Sequence, residues 1–305
     1  MCLEANDMTQ RLPITAIVIY RNEAKLLEGC LSALRPWCEE LITVDMDSRD
    51  GSNAVAARYA DRMFRGPAQP VAEPTRVAAA RHARHDWVLL IDPDEYIPPA
   101  LWPQIEHMLR QHPQAGAVNL PLWYYFKRKR LTGTIWGSDQ VTKRRLIHRA
   151  RCLILPYCNR LTEMRPGCAE VTIAGTPANH IRHYWSDSYH QLLWRHLSRY
   201  CHTEAKALAA TGARFTLRRG LLHPLEELNR CLRHYDGWRC GLRGWLLSGI
   251  YFAYTVLSDW LLWWYQGRVP SAPEAMPIPE LEEVGAQDEQ KGAQALPPAE
   301  ERKAA

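Results

Sequence analysis

Three carboxylates stand close together at Asp92, Asp94 and Glu95, directly after the apolar run Trp87-Val88-Leu89-Leu90-Ile91. Two acids one residue apart at the tip of a strand can share a hard divalent cation, which takes oxygen ligands and keeps room for phosphate oxygens. Pro93 fixes the turn between them. The same residues could instead end the strand and cap the helix that Pro98 and Pro99 introduce. Two other segments have the same form: Tyr20-Arg21-Asn22-Glu23 closes one apolar run, and Asp45 to Ser52 closes another.

The elements that must position these groups follow from periodicity. Ile14 to Tyr20, Leu41 to Val44 and Trp87 to Ile91 are apolar or β-branched without polar alternation, which predicts strands buried on both faces. Between them, Leu26, Leu27, Cys30, Leu31 and Leu34 form a helical stripe that starts after a cap at Asn22 and stops before Pro36. Asn53 to Tyr59 and Thr75 to Arg84 predict two more helices. Strand, helix, strand, helix, helix, strand is the order of a parallel α/β sheet, in which ligands sit beyond the carboxyl ends of the strands. All three polar segments are such ends, and they would lie along one edge. Further on, Leu101 to Arg110 predicts a helix, and Ala117 to Leu122, Arg144 to His148 and Cys152 to Leu155 predict strands. The basic run Phe126-Lys127-Arg128-Lys129-Arg130 reads equally as a solvated loop or as a contact for phosphates.

At 305 residues and 47% hydrophobic, the chain can bury an ample core. Residues 271–305 carry eight acids against three basic residues, so residues 1–270 carry a formal +10 of the total +5. A basic body suits phosphorylated substrates or an anionic membrane, and the basic runs lack a recognition motif for nucleic acid. Nine cysteines without a C-x-x-C pair indicate neither a zinc site nor a disulfide framework. Met1 to Arg11 has no apolar core of a signal peptide, so the expectation is that the catalytic part stays on the cytoplasmic side.

Three motifs in order and spacing resemble family 2 glycosyltransferases of the GT-A fold: Ile19-Tyr20-Arg21-Asn22-Glu23, Val44-Asp45-Met46-Asp47-Ser48-Arg49-Asp50-Gly51-Ser52, and Ile91-Asp92-Pro93-Asp94-Glu95. The branch most similar adds glucose or a like sugar to the lipopolysaccharide inner core. Arg145-Leu146-Ile147-His148, Leu161-Thr162-Glu163, His183-Tyr184-Trp185-Ser186 and Gly237 to Gly244 resemble its later motifs, with Thr162 in place of His and Cys240 in place of Asp.

The resemblance implies a Rossmann-like, mostly parallel sheet flanked by helices and followed by a helical C-terminal region. It implies an inverting transfer from a nucleotide-diphosphate sugar, a UDP-sugar above all, with Mg²⁺ or Mn²⁺, to a cell-envelope glycan or lipid-linked acceptor. Asp94 would be the main metal ligand, with Asp92 on metal or ribose and His183 completing the shell. Tyr20, Asn22, Glu23, Asp45, Asp50 and Arg76 would serve the donor, Asp45 by accepting from the uracil N3–H and Arg76 by reaching the diphosphate. Glu163 would remove the acceptor proton, with Asp139 in reserve. Two alternatives stay open. A nucleotidyltransferase also uses strand-end acids, but Tyr20 to Lys25 lacks a glycine-rich phosphate loop. A non-catalytic glycolipid-binding protein could retain the fold.

Trp245 to Tyr265 is an apolar, tryptophan-rich stretch about 31 Å long if helical, enough to span a bilayer. Ser248, Tyr251, Thr255, Ser258, Asp259 and Gln266 make one polar stripe along it, and arginines flank both ends. The expectation is a helix that lies in the inner membrane surface or packs on the catalytic domain, rather than one that spans. The expected domains are residues 1–175, catalytic; 176–269, helical, for acceptor and membrane; and 270–305, a disordered acidic tail.

Overall fold

The computed structural model describes residues 11–132, 135, 141–157, 160–269 and 277–285. The first half runs β1 (Leu12–Tyr20), α1 (Ala24–Leu34), β2 (Cys38–Asp45), α2 (Ser52–Ala56), β3 (Arg62–Arg65), α3 (Glu73–Ala80), β4 (Trp87–Ile91), β5 (Glu95–Tyr96), α4 (Trp102–Gln111), β6 (Ala115–Phe126) and β7 (Lys129–Arg130). It continues with β8 (Thr142–His148), β9 (Cys152–Tyr157), β10 (Arg160–Met164), β11 (Ala169–Thr172) and β12 (Ile181–Ser186). The helices α5 (Tyr189–Arg195), α6 (Cys201–Ala210), α7 (Leu217–Asn229) and α8 (Gly241–Tyr265) follow, and β13 (Glu282–Val284) comes last.

The main sheet is ordered β13-β3-β2-β1-β4-β8-β6-β12-β5. Its β3-β2-β1-β4 block is parallel, as the strand and helix order predicts, while β8 runs antiparallel between β4 and β6. Strand alternation sorts β1 into two cores. Ile14, Ala16, Val18 and Tyr20 pack with Leu27, Leu31 and Leu34 of α1 on one face, and Ile17 and Ile19 pack with Ala79 and Ala80 on the other. Burial on both faces is why these strands read as continuous apolar runs. The register pairs Tyr20 with Asp45 and Val18 with Ile91. The three polar strand ends therefore share one edge, as expected.

Several local expectations are corrected. Asn22 is not the cap of α1: Glu23 takes that place, and Asn22 sits at φ 57°, its Oδ1 accepting from the Arg49 N–H at 2.7 Å. The basic run, by contrast, keeps its reading as a solvated loop: it is a tight hairpin with Lys127, Arg128 and Lys129 exposed, Lys127 and Arg128 both in the left-handed region between β6 and β7, and the Arg130 guanidinium 3.5 Å over the Trp123 ring. Residues 181–186, within the segment expected to be helical, are the strand β12, parallel to β6. Residues 282–284, within the tail expected to be disordered, pair antiparallel with β3. The cause is local: Leu281 packs on the core, and Glu283 accepts twice from Arg62 at 2.8 Å, features that a composition average over the tail hides.

The Gly237 to Gly244 segment turns the chain into α8. Gly241 has φ 59° and ψ −151°, a backbone region restricted to glycine, and a Cβ at Gly244 would overlap the Gly237 carbonyl oxygen. The glycines of this motif serve the turn.

Candidate active site

A cleft of about 980 Å³ opens at the carboxyl edge of the parallel block and extends beneath the C-terminal helices. Its floor is the turn after β4. The Glu95 N–H donates to the Asp92 carbonyl at 2.9 Å, and the Asp92 N–H returns to the Glu95 carboxylate at 3.1 Å, so Asp92 to Glu95 close on themselves. β12 then lies against this turn. Tyr184 N–H donates to the Asp94 carbonyl at 2.8 Å, and His183 pairs with Glu95 across the strands. That pairing brings His183 to the acids: its Nε2 is 3.1 Å from Asp94 Oδ2, and its Nδ1 is 3.8 Å from Glu95 Oε1.

The acids have unequal surroundings. Asp92 is ion-paired to Arg76 through one oxygen and to Arg145 through the other. Burial disfavours its charge, but the two guanidiniums and His183 more than offset this and hold its carboxyl far below the usual range. Glu95 is fully buried and paired with Arg145, and burial pushes its carboxyl upward despite that pair. Burial also opposes a proton on His183, yet Asp94, Glu95 and Asp92 together raise its affinity for one. Its Nδ1 is a buried nitrogen without a hydrogen-bond partner among the described residues. Glu23, on the cleft wall, has its carboxyl raised to about 7 by burial and by the charges of Asp94 and Asp92.

Glu23, Arg76, Asp92, Asp94 and His183 are thus brought together around the cleft. Tyr20, Asn22, Asp45 and Asp50 are not among its walls. Instead they brace the loops behind it. Tyr20 donates to Asn53 at 2.9 Å, Asp45 accepts from the Ser48 N–H at 2.8 Å and from Asn53 at 3.2 Å, and Asp50 accepts from the Ala24 N–H at 3.1 Å and the Ser52 N–H at 2.9 Å. Asp45 thus accepts one hydrogen bond on each oxygen from its own loop, and a carboxylate has lone pairs to accept more. Glu163 is exposed and outside the cleft, whereas Thr162, its neighbour on β10, lines it and accepts from Arg144 at 3.0 Å. Alternation along a strand sends adjacent side chains to opposite faces. Asp139 lies outside the described residues.

Three groups on the cleft had no role assigned from the sequence, although Arg145 and Arg199 stand in segments that resemble the branch. Arg145 was visible only as part of a motif, and its role depends on the antiparallel placement of β8 beside β4. Arg195 and Arg199, one helical turn apart, line the cleft from the C-terminal side, and Arg195 has no ion-pair partner among the described residues. Their spacing alone resembles any solvated helix face.

The Glu23 carboxyl leads to an expected pH dependence. Its affinity for a proton is higher in the folded chain (about 7) than the ordinary value of 4.5, so the stability it confers is fully present below pH 4.5 and is lost as pH rises through 7. Glu23→Gln should therefore raise the melting temperature of the metal-free protein at pH 8 relative to wild type, by an increment worth about 2 kcal/mol, and leave it unchanged at pH 4.5. A melting difference that does not grow between these pH values counts against the raised carboxyl.

An acidic turn ending the last strand of a β3-β2-β1-β4 parallel block, continued by mixed strands and opening into a deep cleft, defines the GT-A class of fold. Residues 15–159 match the family model described as glycosyl transferase family 2. A lipopolysaccharide core biosynthesis glycosyltransferase, LpsC, of Rhizobium meliloti is 28% identical over 144 residues, covering 45% of this chain and 50% of LpsC. A TPR repeat-containing protein of Synechococcus elongatus is 30% identical over 107 residues, covering 35% of this chain and 26% of that protein. The chain thus spans half or less of the length of these curated relatives. Among solved structures, a mannosyltransferase of Pyrobaculum calidifontis in complex with GDP-mannose and Mn²⁺ superposes with a TM-score of 0.44 at 16% identity, over 85% of this chain and 89% of the other. Staphylococcus aureus TarS with UDP-GlcNAc gives 0.44 at 12% identity, over 83% and 90%.

Proposed function

We propose that the protein is an inverting glycosyltransferase that moves a hexose from a nucleotide-diphosphate donor, a UDP-sugar, to a lipid-linked glycan of the cell envelope. The observation that carries this reading is the pairing of Asp94 with His183 at 3.1 Å on the floor of the cleft. The family match and the likeness to LpsC support the class of reaction and of acceptor.

Asp94 and His183 fit a divalent ion such as Mg²⁺ or Mn²⁺. A carboxylate oxygen and an imidazole nitrogen converge there, and no group of three His, Cys, Asp or Glu side chains among the described residues would complete a site without other ligands. The remaining ligands would be water and the diphosphate, the usual arrangement for a hard cation at phosphate. When bound, the ion supplies positive charge to the departing diphosphate. Asp92 fits ribose better than metal, since both its oxygens already accept from arginine. Arg195 would face the diphosphate from the opposite wall and stabilise the same developing charge. The acceptor's lipid would keep the enzyme peripheral on the inner face of the membrane.

A panel of nucleotide sugars offered to the purified chain with and without Mn²⁺ tests the reading. Thermal protection and donor hydrolysis should appear for one base and one sugar, and only with metal. A chain that responds to no nucleotide sugar under either condition is not this enzyme.

A further inference from the structure

The helix α8 is built inside out for a protein in water. A surface helix ordinarily turns its apolar stripe to the core and its polar residues outward. In α8 the buried side holds Ser248, Thr255, Ser258 and Asp259 as well as Leu247 and Leu262. Tyr251, Tyr254, Thr255 and Asp259 from that side form a wall of the cleft. The polar stripe seen in the sequence is therefore turned toward the substrate cavity. The outward positions are Leu242, Trp245, Leu246, Trp260, Trp263 and Trp264, between 41% and 76% exposed. They recur at three- and four-residue steps or multiples of them, with the half-buried Phe252, Ala253 and Val256 between them, and make one apolar face about 33 Å long.

α7 widens this face. Its Leu217, Leu221 and Leu225, one turn apart, are 67%, 58% and 53% exposed. Asp259 accepts from Arg219 Nε at 2.6 Å and lies 2.6 Å from His223 Nδ1, and Phe215 packs its ring on Trp260, so the two helices are fastened side by side. Of the fifteen exposed large hydrophobics among the described residues, all but Leu26 and Leu153 lie between residues 193 and 264. Such a concentration marks a surface that meets something other than water.

We propose that this α7 and α8 face seats the protein in the headgroup layer of an anionic lipid bilayer, with α8 parallel to the surface and the cleft immediately behind it. Residues 211–269 hold eight arginines and four acids. Arg214, Arg218, Arg233, Arg239 and Arg268 are exposed around the apolar residues, where they would meet lipid phosphates while the leucines enter the acyl boundary. Tryptophans at both ends of α8 favour the same depth. A spanning arrangement does not fit, although Gly237–Tyr265 is long and apolar enough to cross a membrane. It would strip α6 and α7 from a helix whose Asp259 is 1% exposed and ion-paired. Self-association through a two-fold interface would bring the arginine-rich rim against its own copy. The proposal deepens the reading of a lipid-linked acceptor and rests on it for the ligand that the cleft receives.

Flotation of the full chain with vesicles tests it. Wild type should float with phosphatidylcholine vesicles containing about one-third phosphatidylglycerol, more weakly with phosphatidylcholine alone, and be released by carbonate. Leu221→Glu with Leu242→Glu should lower the bound fraction about tenfold while Mn²⁺-dependent protection by nucleotide sugar is unchanged. Absence of flotation, flotation indifferent to the two substitutions, retention after carbonate, or a dimer that the same substitutions dissociate each overturns the proposal. Loss of nucleotide protection in wild type with flotation intact overturns the transferase reading and leaves the surface standing.

Discussion

Asp94→Asn is expected to lower sugar transfer about 10³-fold while leaving the melting temperature of the metal-free protein within about 2 °C of wild type. Asparagine keeps the volume of the side chain and its hydrogen bond to His183 but removes the charge that a divalent cation requires. Asp92→Asn should behave differently, because Asp92 is the shared partner of Arg76 and Arg145. That variant should lose stability as well as activity. Initial rates over a Mn²⁺ titration, run beside calorimetry, separate the two. If Asp94→Asn retains wild-type rates at saturating metal, Asp94 does not hold the ion.

Arg145→Ala is expected to destabilise the fold by about 3–5 kcal/mol, because it leaves Glu95 and part of Asp92 buried without a countercharge. Arg145 is 7% exposed and Glu95 1%, so water cannot replace the lost pair. In a domain of this size the melting temperature should fall by roughly 10 °C. Adding Glu95→Gln to Arg145→Ala should restore part of the loss, since an uncharged amide needs no cation. The sign with pH follows from Asp92, whose carboxyl the arginines hold low. Its contribution in wild type is present above the ordinary carboxylate value and is lost as pH falls through its depressed one, so the gap between the two proteins should begin to narrow only below about pH 4 and keep narrowing as pH falls toward that depressed value. A melting temperature at neutral pH that Arg145→Ala leaves within about 2 °C of wild type would falsify the account of this cluster.

The parallel half of the fold was legible because its strands are buried on both faces and its helices carry a single apolar stripe. The run Trp87 to Ile91 and the stripe Leu27 to Leu34 each report their own environment. β12 was not legible. His183, Tyr184 and Trp185 are apolar enough for either a strand or a helix, and what makes them a strand is the exposed edge of β6, sixty residues earlier. The site divides in the same way. Asp92 and Asp94 are local to one turn, and their motif states their chemistry. Arg145, His183 and Arg195 arrive from three separate elements, and of these the sequence motifs had placed only His183 beside Asp94; that all three line one cleft is visible only in the folded chain. Asp45, Asp50 and Asn22 show the opposite ambiguity. Short polar side chains at strand ends match a ligand-binding motif and a loop-bracing motif equally well, and here their hydrogen bonds go to neighbouring backbone N–H groups and to Asn53.

The pairing of β13 with β3 has a bearing on how the helices stay in place. The helical region leaves the sheet at β12 and the chain rejoins it at β13, on the far side of the β3-β2-β1-β4 block. In polymer terms α5 to α8 form a closed loop rather than a tail. The chain entropy lost when a loop docks grows only slowly with its length, and a segment held at both ends has less freedom to lose than one held at a single end. A three-residue strand at the edge of the sheet thereby favours the docked arrangement of the helices over the cleft.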